Sequence, residues 1–450
     1  MLHNPMSSDH ASKQPVGLFA YPAFRWGLVV GVVGVILRLG LWLSYAPASF
    51  GDTPSYMRLA AALKEAGLSG YDATRVPGYP AFLALLGSDP DTIWIAQMLL
   101  GLAISMLLFV FAWKTTGSPV FGAIVGLLYN FIPGPVLFEA NLLSETLTAF
   151  FLVLSMVLMM GMDRAETRRS AYAFALAMGI SASLAALVRP LFFILPVWLL
   201  IFVWFGPKGR SLQLAASYSL APLLMLGAWL AWMVTTYDMF GPTTMGGYHL
   251  VQHTGEYFEF LPDDVAPLRD TYLEYRDAQV AERGTQTNAI WDAIPEMSEV
   301  SGLSFFALSA ELQRLSVQLI LQHPNLYLAN AAQGWIDFWK APVYWERAAL
   351  SSETVGGLFA AWVGMGRIIT LVANAAFIAG SALVLESRRA RDRFGLDRYI
   401  LVAGGLVWIS SIIQTLVDHG DNPRFLIPLQ TLVFYVVARW IWDWRSIERA

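Results

Sequence analysis

The chain has no cysteine. Disulfide frameworks, thiolate metal sites and cysteine nucleophiles are thereby excluded. Charge is scarce as well. Asp, Glu, Lys and Arg make up 14% of the residues, against about 25% in a soluble domain. The two signs nearly cancel, leaving a net charge of −4, so there is no basic footprint for nucleic acid. Phosphate-cradling glycine loops, dinucleotide fingerprints, HExxH and GxSxG elements are missing, and with them the case for a soluble nucleotide cofactor. No internal repeat, low-complexity tract or proline-rich linker interrupts the sequence.

What the chain does have is apolar surface. Hydrophobic residues make up 56% of its 450 positions, and 17 residues are Trp. Apolar segments fall at 26–45, 92–113, 118–137, 142–162, 170–188, 190–206, 212–235, 355–385, 399–417 and 424–442. Most approach the roughly 20 residues that span a bilayer as a helix. This predicts an all-α polytopic membrane protein with about ten transmembrane helices. The first segment is followed by Ala46-Pro47-Ala48, which looks like a cleavage site. The segment exceeds the 7–15 residues or so of a signal h-region, so we read it as an uncleaved first helix. Arg189-Pro190 divides the 170–206 block into two helices joined by a tight turn. The piece 79–87 is too short to span. It is an interfacial element or an extension of the second helix.

Lys and Arg placement sets the orientation. One set of connections holds Lys114; Arg164, Arg168 and Arg169; Lys208 and Arg210; Arg388, Arg389, Arg391, Arg393 and Arg398; and Arg445 and Arg449. The opposite set has few, chiefly Arg189 and Arg424. Both termini are then cytoplasmic. Asp52, Glu139, Glu145, Arg189, His419, Asp421 and Arg424 face outside, as does the long polar segment 236–350. The aromatic run Trp335 to Trp345 is expected along the outer lipid boundary. Three regions result: a transmembrane module at 1–235 with its first outer loop at 46–91, a partly helical outer segment at 236–350, and C-terminal spans at 351–450.

The stretch Phe50-Gly51-Asp52-Thr53-Pro54-Ser55-Tyr56 follows the first span directly. Met57, Ala60, Ala61 and Leu63 then recur at helical spacing between Arg58, Lys64 and Glu65, which predicts a helix lying on the membrane surface. Arg75-Val76-Pro77-Gly78-Tyr79-Pro80 turns the chain back. Asp52 is either an N-cap for that helix or a general base or metal-bound carboxylate at the bilayer surface. Glu139 and Glu145 flank Asn141 at a spacing that does not share a helix face. Glu145 is either a functional acid or one favoured by the helix dipole. Arg189 either holds a phosphate through its planar fork or snorkels to the interface. Arg75 and Arg424 are further candidates for an anionic group. His249 and His253 are spaced i, i+4, a weak metal signal. His323 precedes a proline and positions a helix. Arg38, deep in the first span, needs a carboxylate or carbonyl partner.

Taken together, several motifs resemble the C-type (GT-C) membrane glycosyltransferases. Nearest are the bacterial aminoarabinose- and galacturonosyl-type lipopolysaccharide transferases, grouped with protein mannosyltransferases. The motifs are Gly51 to Tyr56, Arg75 to Pro80, Tyr129 to Pro133, Ser144-Glu145-Thr146-Leu147 and Val188-Arg189-Pro190. His323-Pro324 with Tyr327 and Trp335, and Arg424-Phe425 with Pro428, extend the likeness. The resemblance implies a GT-C-like bundle in the bacterial inner membrane and an extracytoplasmic site. It also implies a polyprenyl-phosphate sugar donor, an envelope acceptor and inversion at the anomeric carbon. Asp52 takes the place of the catalytic acid, and Glu139 or Glu145 that of the second acidic position. Tyr56, Arg75, Tyr79, Arg189, His419 and Arg424 become candidate substrate-binding residues. Metal dependence varies in that family, so no metal ligand is assigned and a divalent cation is left open. The rival class is a transporter or flippase of a lipid-linked intermediate. Transporters of that kind commonly show two related halves, which this sequence lacks.

Overall fold

In lipid a backbone must close its own hydrogen bonds, so long apolar runs become helices. The computed structural model describes residues 21–209, 211–420 and 422–447, and each of the ten apolar segments is helical there. Arg210, Asp421 and Arg449 lie outside the described residues.

The chain starts with α1 (Pro22–Ser44), then α2 (Thr53–Ala66), α3 (Gly78–Leu85), α4 (Pro90–Thr116), α5 (Pro119–Phe131) and α6 (Pro133–Phe138). Next come α7 (Glu145–Arg164), α8 (Arg168–Val188), α9 (Ile194–Trp204) and α10 (Leu212–Tyr237). The long polar segment forms α11 (Gly246–Thr254), α12 (Ala266–Arg283), α13 (Ala289–Ser301), α14 (Phe305–Gln322) and α15 (Pro324–Phe338). The last part holds α16 (Glu353–Glu386), α17 (Arg388–Arg393), α18 (Arg398–Val417), α19 (Asn422–Phe425) and α20 (Ile427–Ile447). Starts and stops are written locally. Asp89 accepts from the Thr92 N–H ahead of α4, Thr167 and Ser170 form a capping box on α8, and left-handed Gly117 ends α4.

Among the described residues, seven helices are long and apolar enough to cross a membrane: α1, α4, α7, α8, α10, α16 and α18. α5 and the 190–204 segment containing α9 are shorter apolar helices. α3 is a separate short helix and not an extension of α4. α7 is the most enclosed span, packed on α4, α8 and α20. Its start, the end of α1, the end of α8 and the start of α20 all fall at one end of the bundle, which follows from their antiparallel order.

Three packing features position that end. Ala48 pairs with the turn after α6: its N–H donates to Ala140 O at 2.9 Å, and Leu142 N–H donates to Ala48 O at 3.0 Å. The first loop is thereby stitched to the approach of α7. The segment 245–319 has its own core, including Tyr248, Phe258, Tyr272, Leu308 and Leu312. Finally, α3 begins against the end of α8. A Cβ on Gly78 would sit 2.5 Å from Leu187 O, so only glycine permits this approach. We expect Gly78→Ala to cost about 1–3 kcal/mol through overpacking, read as a lower thermal midpoint. Gly227→Ala, with nothing near its Cβ, should be neutral or slightly stabilising.

The aromatic run at the end of α15 packs on neighbouring helices. Trp335 stacks on Trp408, Trp339 packs on Phe377 and Trp408, and Phe338 is fully buried. These rings anchor α15 to α16 and α18 by burying ring area in a core.

Candidate active site

Five charged side chains meet at that end of the bundle. Asp52, just ahead of α2, receives Arg75 Nη2 on Oδ1 at 2.7 Å and Arg424 Nη2 on Oδ2. Arg424 Nε stands 2.9 Å from Glu145 Oε1 at the start of α7. The same oxygen accepts from Arg189 Nη1 at 2.7 Å. The order Arg75, Asp52, Arg424, Glu145, Arg189 alternates in sign. Each member comes from a different loop or helix end, brought together by the antiparallel spans.

Depth divides the cluster. The Asp52 and Arg75 side chains are 23% and 21% exposed, whereas Glu145 and Arg189 are 1% and 4% exposed. An incoming group meets Asp52, Arg75 and Arg424 first. Arg189 lies behind them, its guanidinium stacked 4.2 Å from the Phe425 ring centroid. Arg189 does not snorkel outward. Glu145 is no bare helix-start acid, since it joins two guanidiniums.

Asp52 occupies the cap position of α2, yet its side chain makes no capping hydrogen bond and its backbone is helical rather than extended. The carboxylate turns to the arginines instead. Burial pushes its pKa up, but the Arg424 and Arg75 guanidiniums outweigh that and hold it well below the usual carboxylate range. The loop is fixed by Thr53 Oγ1, which donates to Leu142 O at 3.1 Å.

The other predicted residues occupy supporting positions. Tyr56 is buried, its hydroxyl 3.3 Å from Ser144 Oγ and its ring edge-on to Tyr79 at 4.8 Å. Tyr79, fully buried, donates to Gln97 Oε1 at 3.0 Å. Gln97 Nε2 donates in turn to the backbone oxygens of Glu139 and Asn141. Glu139 lies apart from the five-charge cluster. Its carboxylate pairs with Arg38 at 2.6 Å and accepts from the Tyr129 hydroxyl at 3.2 Å. Gly101 of α4 leaves the room for it. Arg38 thus has the carboxylate partner its depth demands, and also donates to Met98 O and Gly34 O.

His419 faces a second group of polar residues. Its ring lies 5.4 Å from that of His253, and Nε2 is 3.9 Å from Asp337. His249 and His253 share α11 but turn to different neighbours: His249 Nδ1 sits 3.2 Å from Asp418, while His253 packs on Tyr327. Burial pushes the His253 imidazole down to about 4, helped by His419. His323 packs against Phe260 and forms the cap of α15.

Among the described residues no group of three or more His, Asp or Glu is placed to hold a metal ion. Both Asp52 oxygens are engaged by guanidiniums, so this donor set does not suit a divalent cation.

Gln97, Asn130, Met245 and Trp291 were not singled out from sequence. Gln97 and Asn130 did carry a signal, as lone amides within apolar helices. Arg38 donates to Asn130 Oδ1 at 2.9 Å.

No sequence-family profile matches the chain, and no curated protein sequence matches it. Among solved structures, the chain is similar to the Archaeoglobus fulgidus oligosaccharyltransferase AglB in complex with an inhibitory peptide and a dolichol-phosphate. The TM-score is 0.49 at 13% identity, covering 96% of this chain and 52% of that one. It is also similar to ArnT from Cupriavidus metallidurans bound to undecaprenyl phosphate. There the TM-score is 0.38 at 13% identity, covering 93% of this chain and 78% of that one. The chain spans about half the length of the archaeal protein. At this identity no residue role passes from those proteins to this chain.

Proposed function

We infer that the chain is an inverting glycosyltransferase that moves a sugar from a polyprenyl-phosphate donor to an envelope acceptor. The observation that carries this reading is the partly exposed Asp52 carboxylate held between two guanidiniums where the spans end. The Asp52 face is then the extracytoplasmic one, which puts the arginine-rich α17 on the cytoplasmic side in keeping with the charge bias.

The chemistry uses each group once. The donor's tail stays in lipid and its phosphodiester, a monoanion, meets Arg75 and Arg424. An acceptor hydroxyl attacks the anomeric carbon from the face opposite the phosphate. Asp52 takes the hydroxyl proton as the new C–O bond forms. The bond from the anomeric carbon to phosphate oxygen breaks, and its electron pair leaves on the phosphate, whose growing charge the guanidiniums stabilise. Glu145 and Arg189 are positioning residues that fix Arg424.

The resting site restrains its base. While Arg75 and Arg424 both hold Asp52, the carboxylate is ionised but weakly basic. A phosphate arriving between them competes for the same N–H groups and loosens that hold, so basicity rises when donor binds. A pH test follows. With its pKa depressed, Asp52 is ionised from about pH 4 upward, and the wild-type rate should not fall through loss of the base above that. Removing one guanidinium in Arg424→Gln raises the Asp52 pKa, so the acid limb of kcat/KM moves to higher pH. An unmoved limb with a lower plateau would assign Arg424 to phosphate alone.

The direct test uses purified protein in lipid nanodiscs and a panel of polyprenyl-phosphate sugars. Release of polyprenyl phosphate supports the transferase. Donor movement across sealed vesicles without release would make the chain a flippase.

A further inference from the structure

Beside the five-charge cluster lies a cavity of about 370 Å³, between α2, the loop at 72–75, the end of α10 and the helical segment 245–319. We propose that this cavity is a saccharide-binding subsite for the acceptor. The inference rests on the transferase reading above and narrows the acceptor to a sugar-bearing molecule.

Four aromatic residues line it: Tyr237, Trp291, Phe305 and Phe306. They are set in place before any ligand arrives. Tyr237 is edge-on to Phe306 at 5.8 Å, and Phe305 packs on Tyr248 at 4.8 Å. The polar tips are tied back into the protein. The Tyr237 hydroxyl donates to Tyr71 O at 2.6 Å, and the Trp291 N–H donates to Asn288 Oδ1 at 3.2 Å. What these residues offer the cavity is therefore ring surface. A pyranose presents C–H faces to such rings and hydroxyls around its rim.

The rim chemistry is present too. Arg58 and Asp72 form a 2.6 Å pair at the cavity wall, both well exposed. The guanidinium donates to sugar oxygens and the carboxylate accepts from sugar hydroxyls. Asp72 is held in place by Thr74, which donates to Oδ1 through both its backbone N–H and its hydroxyl. A peptide acceptor that adds as a strand needs a sheet edge. The described residues contain only one isolated bridge, between Ala48 and Asn141, and it does not line this cavity.

The cavity also has the right neighbour. Arg75 lines it, with Nη1 at Met245 Sδ and Thr74 O, while Nη2 of the same guanidinium holds Asp52. Arg75 therefore borders both the cavity and the carboxylate that would deprotonate the acceptor.

Saturation-transfer NMR on the full chain in nanodiscs tests this. The probes are maltopentaose, chitopentaose, a lipopolysaccharide core oligosaccharide released by mild acid, and a Ser/Thr-rich peptide. At least one saccharide should bind. Trp291→Ala and Phe305→Ala should each weaken that binding about tenfold, the equivalent of 1.4 kcal/mol. Trp291→Phe, which keeps a ring, should restore most of it and controls for folding. Binding of the peptide alone, of no saccharide, or equal binding by wild type and both alanine variants overturns the proposal. Trp291-dependent saccharide binding in a protein that releases no polyprenyl phosphate from any donor would sink the transferase reading and leave the subsite standing. Release from donor with no saccharide binding would do the reverse.

Discussion

Asp52→Asn protein is expected to insert and fold normally but to release polyprenyl phosphate about 10²–10⁴-fold more slowly than wild type, the usual contribution of a positioned base. The substitution is nearly isosteric. The Asn carbonyl still accepts from one guanidinium, and water reaches the site, so little stability should be lost. Donor affinity should hold or improve, because Arg75 and Arg424 are freed for the phosphate. The informative result is a collapsed kcat beside an unchanged or lower donor KM, measured by single-turnover release in nanodiscs. A variant that transfers at the wild-type rate removes Asp52 from the chemistry.

The second large effect is expected in stability. Glu145→Leu takes away the carboxylate that, among the described residues, pairs with Arg189. Arg189 is left charged and buried, and removing one partner of a buried pair costs about 3–5 kcal/mol. A clearly lower thermal midpoint should follow, together with lost activity as Arg424 is released. Combining Glu145→Leu with Arg189→Met removes the stranded charge and should recover much of the stability without the activity. A single variant that melts like wild type would mean that water or lipid phosphate already compensates Arg189, and that the pair does not brace the site.

The spans were legible because hydropathy and the requirement for internal hydrogen bonding act locally. The charged members of the site were legible as charges stranded at helix ends: Asp52, Arg75, Glu145, Arg189 and Arg424 all stood out. Their pairing was not. Arg189 meets Glu145 across 44 residues and Arg424 meets Asp52 across 372, and no local pattern encodes such contacts. Glu139 and Glu145 looked equivalent in sequence, yet one is consumed by Arg38 and the other joins the cluster. The difference lies in which helix end faces Gly101. Asp52 matched a helix cap by position, and only the arginines, distant in sequence, draw its carboxylate away. That Trp335 and Trp339 pack on Trp408 and Phe377 was not legible either, because composition alone does not show which rings meet.

The 372-residue separation between Asp52 and Arg424 has a bearing on biogenesis. Spans enter the membrane in order as the ribosome delivers them. Asp52, Arg75, Glu145 and Arg189 are all in place long before α19 is made. Until then the assembling protein holds Asp52, Arg75, Glu145 and Arg189 without the guanidinium that joins the two carboxylates. A nascent or prematurely terminated chain therefore has its base but lacks half of the clamp around it. On the proposed reading, transfer from a lipid-linked donor is withheld until α19 docks beside the first loop.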